Sequence, residues 1–247
     1  MDSLETELDR ARDLAVDDLA DAIESIGFEC TRCGACCKGY DPADDDGESG
    51  DDTAETEAGA TEREPHTATV FPDEIRDLQD GGDYDWRDMA RPMPYGLEAE
   101  SDDNGDQPSG ETFEWALQTD ACGDCTFYEE SDDGTGACTV HDDRPLICQT
   151  YPFSVALGGT SQPMGEAVDG EGMVRAHECE GLGRDISREE AEELAAALKE
   201  RAIREIEEAI GVRENYESRD VDGVVVHDSE GQKRPDGTKI GSDQETQ

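Results

Sequence analysis

Four cysteines fall within eight residues in the segment 30–37, which reads CTRCGACC. Spacers of two residues separate Cys30, Cys33 and Cys36, so the chain can turn around a metal and direct two sulfurs at it. Gly34 permits the tight turn that such a loop needs. Because reduced thiols rarely cluster this densely by chance, the segment predicts a metal site.

The adjacent pair Cys36 and Cys37 leaves the number of metals open. The first three cysteines are spaced like part of a ferredoxin ligand run, but the fourth follows at once instead of after a gap of three residues. Adjacent cysteines point in different directions and rarely bind one tetrahedral ion together without strain. The pair therefore either serves two metals or leaves one thiol free.

A second group of cysteines lies later in the chain, and a single cysteine follows it. We expect this group to meet the first across a small core, because a four-sulfur site draws ligands from separate segments. Cys122 is as readily explained as a free thiol, and His141, in a polar turn, is interpreted as a surface residue. The candidate ligands in this part of the chain are Cys125, Cys138, Cys148 and Cys179.

The composition narrows the class of protein and its partners. The chain has 247 residues, and 66 acidic against 20 basic side chains give a formal net charge of −46. Such a field repels nucleic acid and anionic membranes, so neither is an expected partner, while a protein partner is left open. The acidic residues run through the whole chain instead of one tail, which indicates adaptation to a high-salt cytoplasm.

The N-terminal residues also favour the cytoplasm. They contain no basic and apolar signal-peptide pattern. No apolar run approaches the ~18 residues of a membrane span. In a reducing compartment, clustered cysteines indicate metal or redox chemistry rather than disulfides.

The sequence predicts three parts. They are an N-terminal helix at 1–26, a cysteine-cluster domain at 27–212 and a flexible C-terminal tail at 213–247. Within the domain, the segments 41–67 and 98–111 are interpreted as disordered acidic inserts, because they carry too few apolar side chains to offset the entropy of ordering. His66 falls in the first insert, and His177 and His227 have no clear partner.

Local signals predict a few elements inside the domain. An extended segment at 68–71 precedes a helix that has Pro72 in its first turn. Alternating apolar residues predict a strand at 113–117. A capping box and an apolar stripe predict a helix at 187–210 that ends at Gly211. The expected fold class is mainly α with short β segments, a small irregular α+β structure whose metal-stapled core carries disordered acidic inserts.

Several motifs together resemble the YkgJ-like cysteine-cluster (CxxCxxCC) family, described as zinc- or iron-chelating proteins. The most specific motif is the string CTVHDDRPLICQTYPF at 138–153. It is joined by FECTRCGACC at 28–37, by FPDEI at 71–75, by CTFY at 125–128 and by CEGLG at 179–183. The family usually has tyrosine at the position of His141, which strengthens the surface interpretation of that residue.

The resemblance implies metal chelation, by a zinc or iron ion or an iron–sulfur cluster. Cys122 lies outside the family pattern. On this basis Arg144 would screen the thiolates, and Phe28, Tyr151 and Phe153 would either exclude water from the site or form ordinary core. The implied metal ligands are Cys30, Cys33, Cys36, Cys37, Cys125, Cys138, Cys148 and Cys179.

Three functions are compatible with these residues. The first is a metal-binding module, either an iron–sulfur protein with a redox role or a zinc or iron chelator. The second is a metal-dependent methyltransferase, by analogy with flagellin lysine methylases that have the same cysteine pattern; no glycine-rich nucleotide loop accompanies it here. The third is an adaptor in which the metal only stabilises a small core.

Overall fold

The computed structural model describes residues 2–40, 63–100, 107–157, 167–169, 172–219 and 222–241. Helix makes up 38% and strand 24%, so the protein is a mixed α+β structure with more strand than a mainly α fold. The helices are α1 (Leu4–Asp13), α2 (Val16–Ile26), α3 (Pro72–Gly81), α4 (Trp86–Met89), α5 (Leu146–Thr150) and α6 (Arg188–Asn215). The strands are β1 (Thr69–Val70), β2 (Ala90–Pro92), β3 (Leu97–Glu100), β4 (Gln107–Phe113), β5 (Trp115–Leu117), β6 (Tyr128–Glu130), β7 (Gly136–Cys138), β8 (Phe153–Val155), β9 (Ala167–Asp169), β10 (Val174–His177), β11 (Val224–Asp228) and β12 (Gly231–Lys233).

The N-terminal segment forms two helices where the sequence predicted one. α1 ends at Asp13, and Leu14 takes an extended ψ of 128° before α2 begins. The break lets both helices turn apolar residues, among them Leu8 and Ile23, into the same core. α2 ends at Ile26, the predicted end of the helix, and Gly27 follows with a φ of 77° that favours glycine.

Helix α6 is longer than predicted. Its start is confirmed, since Ser187 and Glu190 form a capping box. Its predicted end is wrong, because the helix continues through Gly211 to Asn215. A Cβ atom at Gly211 would lie 2.6 Å from the Cβ of Ser229, so this glycine serves a close approach to the chain beyond β11 and does not end the helix.

Two apolar clusters form the core. The first joins α1, α2 and α6 to the antiparallel sheet β8-β10-β9, and Phe153 lies fully buried in it. The second surrounds Trp115 in the antiparallel sheet β1-β5-β2, and α3 and α4 cover it. The predicted extended segment and the helix with Pro72 at its start are confirmed. The predicted strand at 113–117 is confirmed for 115–117, whereas Phe113 ends β4 and Glu114, with a φ of 70°, separates the two strands.

The predicted flexible tail carries two paired strands in its described part, and residues 220–221 and 242–247 lie outside that part. β11 pairs in parallel with β4, in register from Val224 opposite Gly110 to His227 opposite Phe113, and in antiparallel with β12. Val225 and Val226 are buried in this mixed sheet, β12-β11-β4-β3. The prediction failed because the partner strand lies far away in sequence, where local polarity carries no information on pairing.

The two predicted acidic inserts are ordered at their edges. Residues 41–62 and 101–106 lie outside the described part of the chain. Glu64 forms an isolated bridge with Tyr40, and His66 is buried, so the prediction is wrong for 63–67. It is also wrong for 98–100 and 107–111, because β3 and β4 pair there as an antiparallel hairpin. The backbone pairing orders segments that have few apolar side chains.

A membrane span is not found in the described ranges. No helix there is both long and apolar enough to cross a bilayer.

Candidate metal centre

The first cysteine loop is built around a glycine turn. Gly34 has a φ of 76° and precedes a short 3-10 helix, Ala35–Cys37. The backbone N–H of Cys37 donates to the carbonyl of Gly34 at 2.8 Å. This local structure places Cys36 and Cys37 side by side, and their Sγ atoms are 3.8 Å apart. The tight turn predicted at Gly34 is confirmed.

This loop packs against the hairpin of β6 and β7. The N–H of Gly136 donates to the carbonyl of Arg32 at 2.7 Å. The ring of Tyr128 fills the space in front of Gly34, and its hydroxyl donates to Glu130 at 2.6 Å. Lys38 forms an ion pair with the same carboxylate and lies 5.4 Å from the ring centroid. The three side chains therefore close over the outside of the loop.

The second cysteine group meets the first through the backbone. The N–H of Cys125 donates to the carbonyl of Cys37 at 2.8 Å, and the N–H of Tyr128 donates to the carbonyl of Cys125 at 2.9 Å. Tyr128 and Cys138 are register partners in the β6-β7 hairpin. These backbone contacts link three of the predicted ligand positions, Cys37, Cys125 and Cys138.

Cys148 is positioned by a carboxylate of α3. Glu74 accepts from the N–H of Phe71 at 2.9 Å, which caps α3, and from the N–H of Leu146 at 2.8 Å, at the start of α5. Burial raises the pKa of Glu74 even though both N–H groups oppose the rise. Cys148 lies in the first turns of α5, so one carboxylate fixes the helix that presents this thiol.

Cys179 lies in a turn that packs on the chain before Cys30. The N–H of Glu29 donates to the carbonyl of Gly181 at 3.0 Å, and Phe28 bridges to Leu182. A Cβ atom at Gly181 would lie 2.3 Å from the carbonyl oxygen of Glu29, so only glycine fits. The N–H of Gly181 donates to the Sγ of Cys179 at 3.4 Å, a bond that stabilises a thiolate.

Burial raises the pKa of several of these thiols. It raises the pKa of Cys125 to about 11, and it raises the pKa of Cys148 further, with charges at Cys125, Cys36 and Cys138 adding to the effect. Burial also raises the pKa of Cys179, and the nearby thiols Cys36, Cys33 and Cys30 add to this rise. A hydrogen bond with Cys37, then burial, raises the pKa of Cys36. Cys36 thus contributes to the raised pKa of both Cys148 and Cys179.

Arg144 opposes this rise. Its Nε donates to the carbonyl of His141 at 2.9 Å, and its positive charge lowers the pKa of Cys36 and of Cys138 against the larger effects of hydrogen bonding and burial. A guanidinium so placed fits the screening role expected for it.

The eight candidate ligands are all free cysteines, and sulfur is a donor atom that both zinc and iron accept. Their sulfurs are not closed around a common point: in the described ranges, no three Cys, His, Asp or Glu side chains are grouped so as to hold a metal ion. Metal binding would therefore release thiol protons and draw the side chains inward.

The other residues that the sequence singled out lie at the surface or in the interior. Cys122 is exposed on a turn held by the Asp120 carboxylate, and His141 has a side chain 60% exposed, as expected for a surface residue. The sequence indicated no partner for His177, but in the structure its Nε2 lies 2.9 Å from the Oγ of Ser154 in the interior. Phe153 belongs to the core, where Phe28 packs against it edge to face with ring centroids 5.7 Å apart.

Sequence reasoning missed two residues that position the loop and the ligands. Tyr128 belongs to the motif CTFY and Glu74 to the motif FPDEI, but neither motif indicates that these side chains position the cysteines. The capping position of Glu74 was visible as an acidic residue three places after Phe71, but its second bond to Leu146 needed the structure.

The fold and the centre define a class of protein: a small α+β domain in which four separate segments carry free cysteines to one region. The chain belongs to the CxxCxxCC family, whose model is described as "Putative zinc- or iron-chelating domain" and matches residues 29–180. The predicted family membership is confirmed. No curated protein and no solved structure matches the chain.

Proposed function

We propose that this protein binds zinc or iron through thiolates drawn from both cysteine groups. The observation that carries the proposal is the 2.8 Å hydrogen bond from the N–H of Cys125 to the carbonyl of Cys37, which joins the two groups. The ligands are Cys30, Cys33, Cys36, Cys37, Cys125, Cys138, Cys148 and Cys179.

The surroundings support tight binding by soft metals. Sulfur ligands select zinc, iron–sulfur clusters or copper(I) over magnesium and calcium. Cys125 is 7% exposed, and Cys37, Cys138 and Cys148 pack against the same apolar cluster, so water is largely excluded there. A dry, thiol-rich site favours a bound metal because it compensates thiolate charge that burial would otherwise penalise.

The test is metal analysis of protein purified without oxygen and kept in high salt. We expect stoichiometric zinc or iron in the wild type, and a lower metal content in Cys33→Ala and Cys148→Ala. Cys122→Ala is the matched control, since this thiol is exposed and is not one of the eight proposed ligands. Metal content unchanged in both ligand variants would overturn the proposal.

The finer proposal is an iron–sulfur centre with a redox role. Its support is the run of three cysteines spaced by two, followed at once by a fourth, which suits a centre with several metal atoms better than a lone tetrahedral ion. The expected result is broad visible absorption that a reductant bleaches and air restores. A colourless protein with stoichiometric zinc would overturn the finer proposal and leave metal binding intact.

A structural role is the second candidate, and the burial of Cys125 in the apolar cluster favours it. If the metal only stabilises the core, removal by a chelator unfolds the domain and no reversible redox change accompanies metal binding. Melting curves with and without chelator, together with a reductive titration, separate this role from electron transfer.

A further inference from the structure

The candidate ligands lie in two different packing environments. Cys125 is a buried member of the apolar cluster around Trp115, and Cys138, Cys148 and, from the adjacent pair, Cys37 pack against that cluster. Cys30, Cys33 and Cys179 belong to neither of the two apolar clusters found among the described residues. We call Cys125, Cys138 and Cys148 the inner trio, and Cys30, Cys33 and Cys179 the outer trio.

Separate backbone contacts hold each trio. In the outer trio, the turn that carries Cys179 is fixed to the chain before Cys30 by the Glu29 N–H bond to Gly181. In the inner trio, Cys138 is the register partner of Tyr128, whose N–H donates to the carbonyl of Cys125. Different backbone contacts thus hold the two trios, and the Arg32 carbonyl, which accepts the N–H of Gly136 in the β6-β7 hairpin, joins them.

The pair Cys36 and Cys37 lies at the boundary between the trios. It follows the two outer cysteines Cys30 and Cys33 in the same loop, and the Cys37 carbonyl accepts the N–H of the inner Cys125. The two Sγ atoms are 3.8 Å apart, so two metals that each took one of them would be close neighbours. A closed four-sulfur site needs four thiolates, and each trio lacks one.

From this arrangement we infer that the protein has two four-thiolate metal positions, one on the outer trio and one on the inner trio, with Cys36 and Cys37 supplying one thiolate to each. The inference rests on the proposed metal-binding function and assigns its eight cysteine ligands to two metal positions. It explains why two adjacent cysteines are present, because a single four-sulfur site has no use for both.

The two positions differ in exposure. Cys30 is exposed, whereas Cys125 is buried. The outer metal therefore exchanges with solution and is removed by a chelator first, while the inner metal, inside the apolar cluster, is released only when that cluster opens. Metal loss follows two phases, and the thermal stability of the domain falls mainly in the second.

The experiment uses cobalt(II) as the probe on full-length protein, reduced and stripped of metal. Native mass spectrometry counts bound cobalt, and thiolate-to-cobalt absorption reports sulfur ligation. We expect two cobalt ions in the wild type and in Cys122→Ala. Cys179→Ala and Cys148→Ala, which each remove one ligand from a different trio, retain one cobalt ion, as do Cys36→Ala and Cys37→Ala.

The outcomes separate the inference from the function it rests on. Wild-type protein that binds no cobalt, zinc or iron overturns the proposed function. One cobalt ion in the wild type, or loss of both ions in a folded Cys179→Ala variant, overturns the division and leaves metal binding intact. If Cys148→Ala does not fold, cobalt loading of the wild type decides: saturation at a two-metal species supports two positions, and saturation at one metal overturns them.

Discussion

The hydroxyl of Tyr128 lies where a side chain at Gly34 would have to be: a Cβ atom built there would come 2.1 Å from the Tyr128 oxygen. Gly34 also has a φ of 76°, which strains any other residue. The turn of the cysteine loop thus depends on glycine for two independent reasons, backbone conformation and close approach.

Gly34→Ala therefore destabilises the loop by more than the backbone strain alone. The strain costs ~1–2 kcal/mol, and displacement of Tyr128 adds to it. Gly134→Ala is the matched control, because Gly134 has a φ of 82° but nothing within 4 Å of its added Cβ atom. Urea unfolding in high salt measures both variants. Equal losses of stability would show that the Tyr128 contact has no energetic effect.

Lys233 forms a buried ion pair in the folded part of the C-terminal segment. Its Nζ lies 2.7 Å from Asp228, and the side chains are 2% and 0% exposed. Lys233→Met leaves the Asp228 carboxylate buried, with the indole N–H of Trp115 and the backbone N–H of Glu230 as donors. Loss of the ion-pair partner costs about 3–5 kcal/mol. Tryptophan fluorescence during urea unfolding follows the change.

The control for this prediction is Lys239→Met, which removes the same charge from a side chain that is 64% exposed. It changes stability by less than ~1 kcal/mol. A Lys233→Met variant as stable as this control would mean that the ion pair contributes nothing to folding.

Glu114 makes stability depend on pH near neutrality. Burial, with the charges of Glu205 and Glu208, raises its pKa from 4.5 to about 7. Between these two values the folded chain keeps a proton that the unfolded chain releases, so stability falls as pH rises through this window. Glu114→Gln removes the loss and stabilises the protein at pH 8 by about 1 kcal/mol or more. Melting temperatures from pH 4.5 to 8.5 test the sign.

Glu200→Gln controls for the change in net charge, because Glu200 is exposed on α6. Its melting profile runs parallel to that of the wild type. If both variants shift the profile equally, overall charge, and not the position of Glu114, determines the effect.

Added salt stabilises the protein. With a formal net charge of −46, the folded chain repels itself, and raising KCl from about 0.1 M to 1 M shortens the screening length from ~10 Å to ~3 Å. The melting temperature therefore rises with KCl concentration. NaCl gives the same rise, and sucrose at equal osmolality gives less, since it does not screen charge. A flat or falling curve would contradict the interpretation of the acidic surface.

Local signals in the sequence predicted the elements that local chemistry determines. The capping box at Ser187 and the proline at the start of α3 gave correct helix starts, and Gly34 gave the turn of the cysteine loop. Each signal acts within a few residues, where backbone hydrogen bonds and φ preferences decide the structure.

Elements that depend on distant partners were missed. β11 is folded because it pairs with β4, about a hundred residues earlier, and nothing in the sequence of either strand specifies that pairing. The cysteine spacing likewise indicated a centre but not which thiols lie together, because that depends on how the β6-β7 hairpin and the turn after Cys179 pack on the first loop.

The carboxylate of Glu74 joins two helix starts, at Phe71 and at Leu146. It follows that the cysteine segments are not a self-contained module. A transplant of residues 28–40 and 122–153 into another scaffold would leave the helix of Cys148 without its anchor, unless 71–74 were moved with them. Any miniature version of this centre must therefore include a stretch that contains no cysteine.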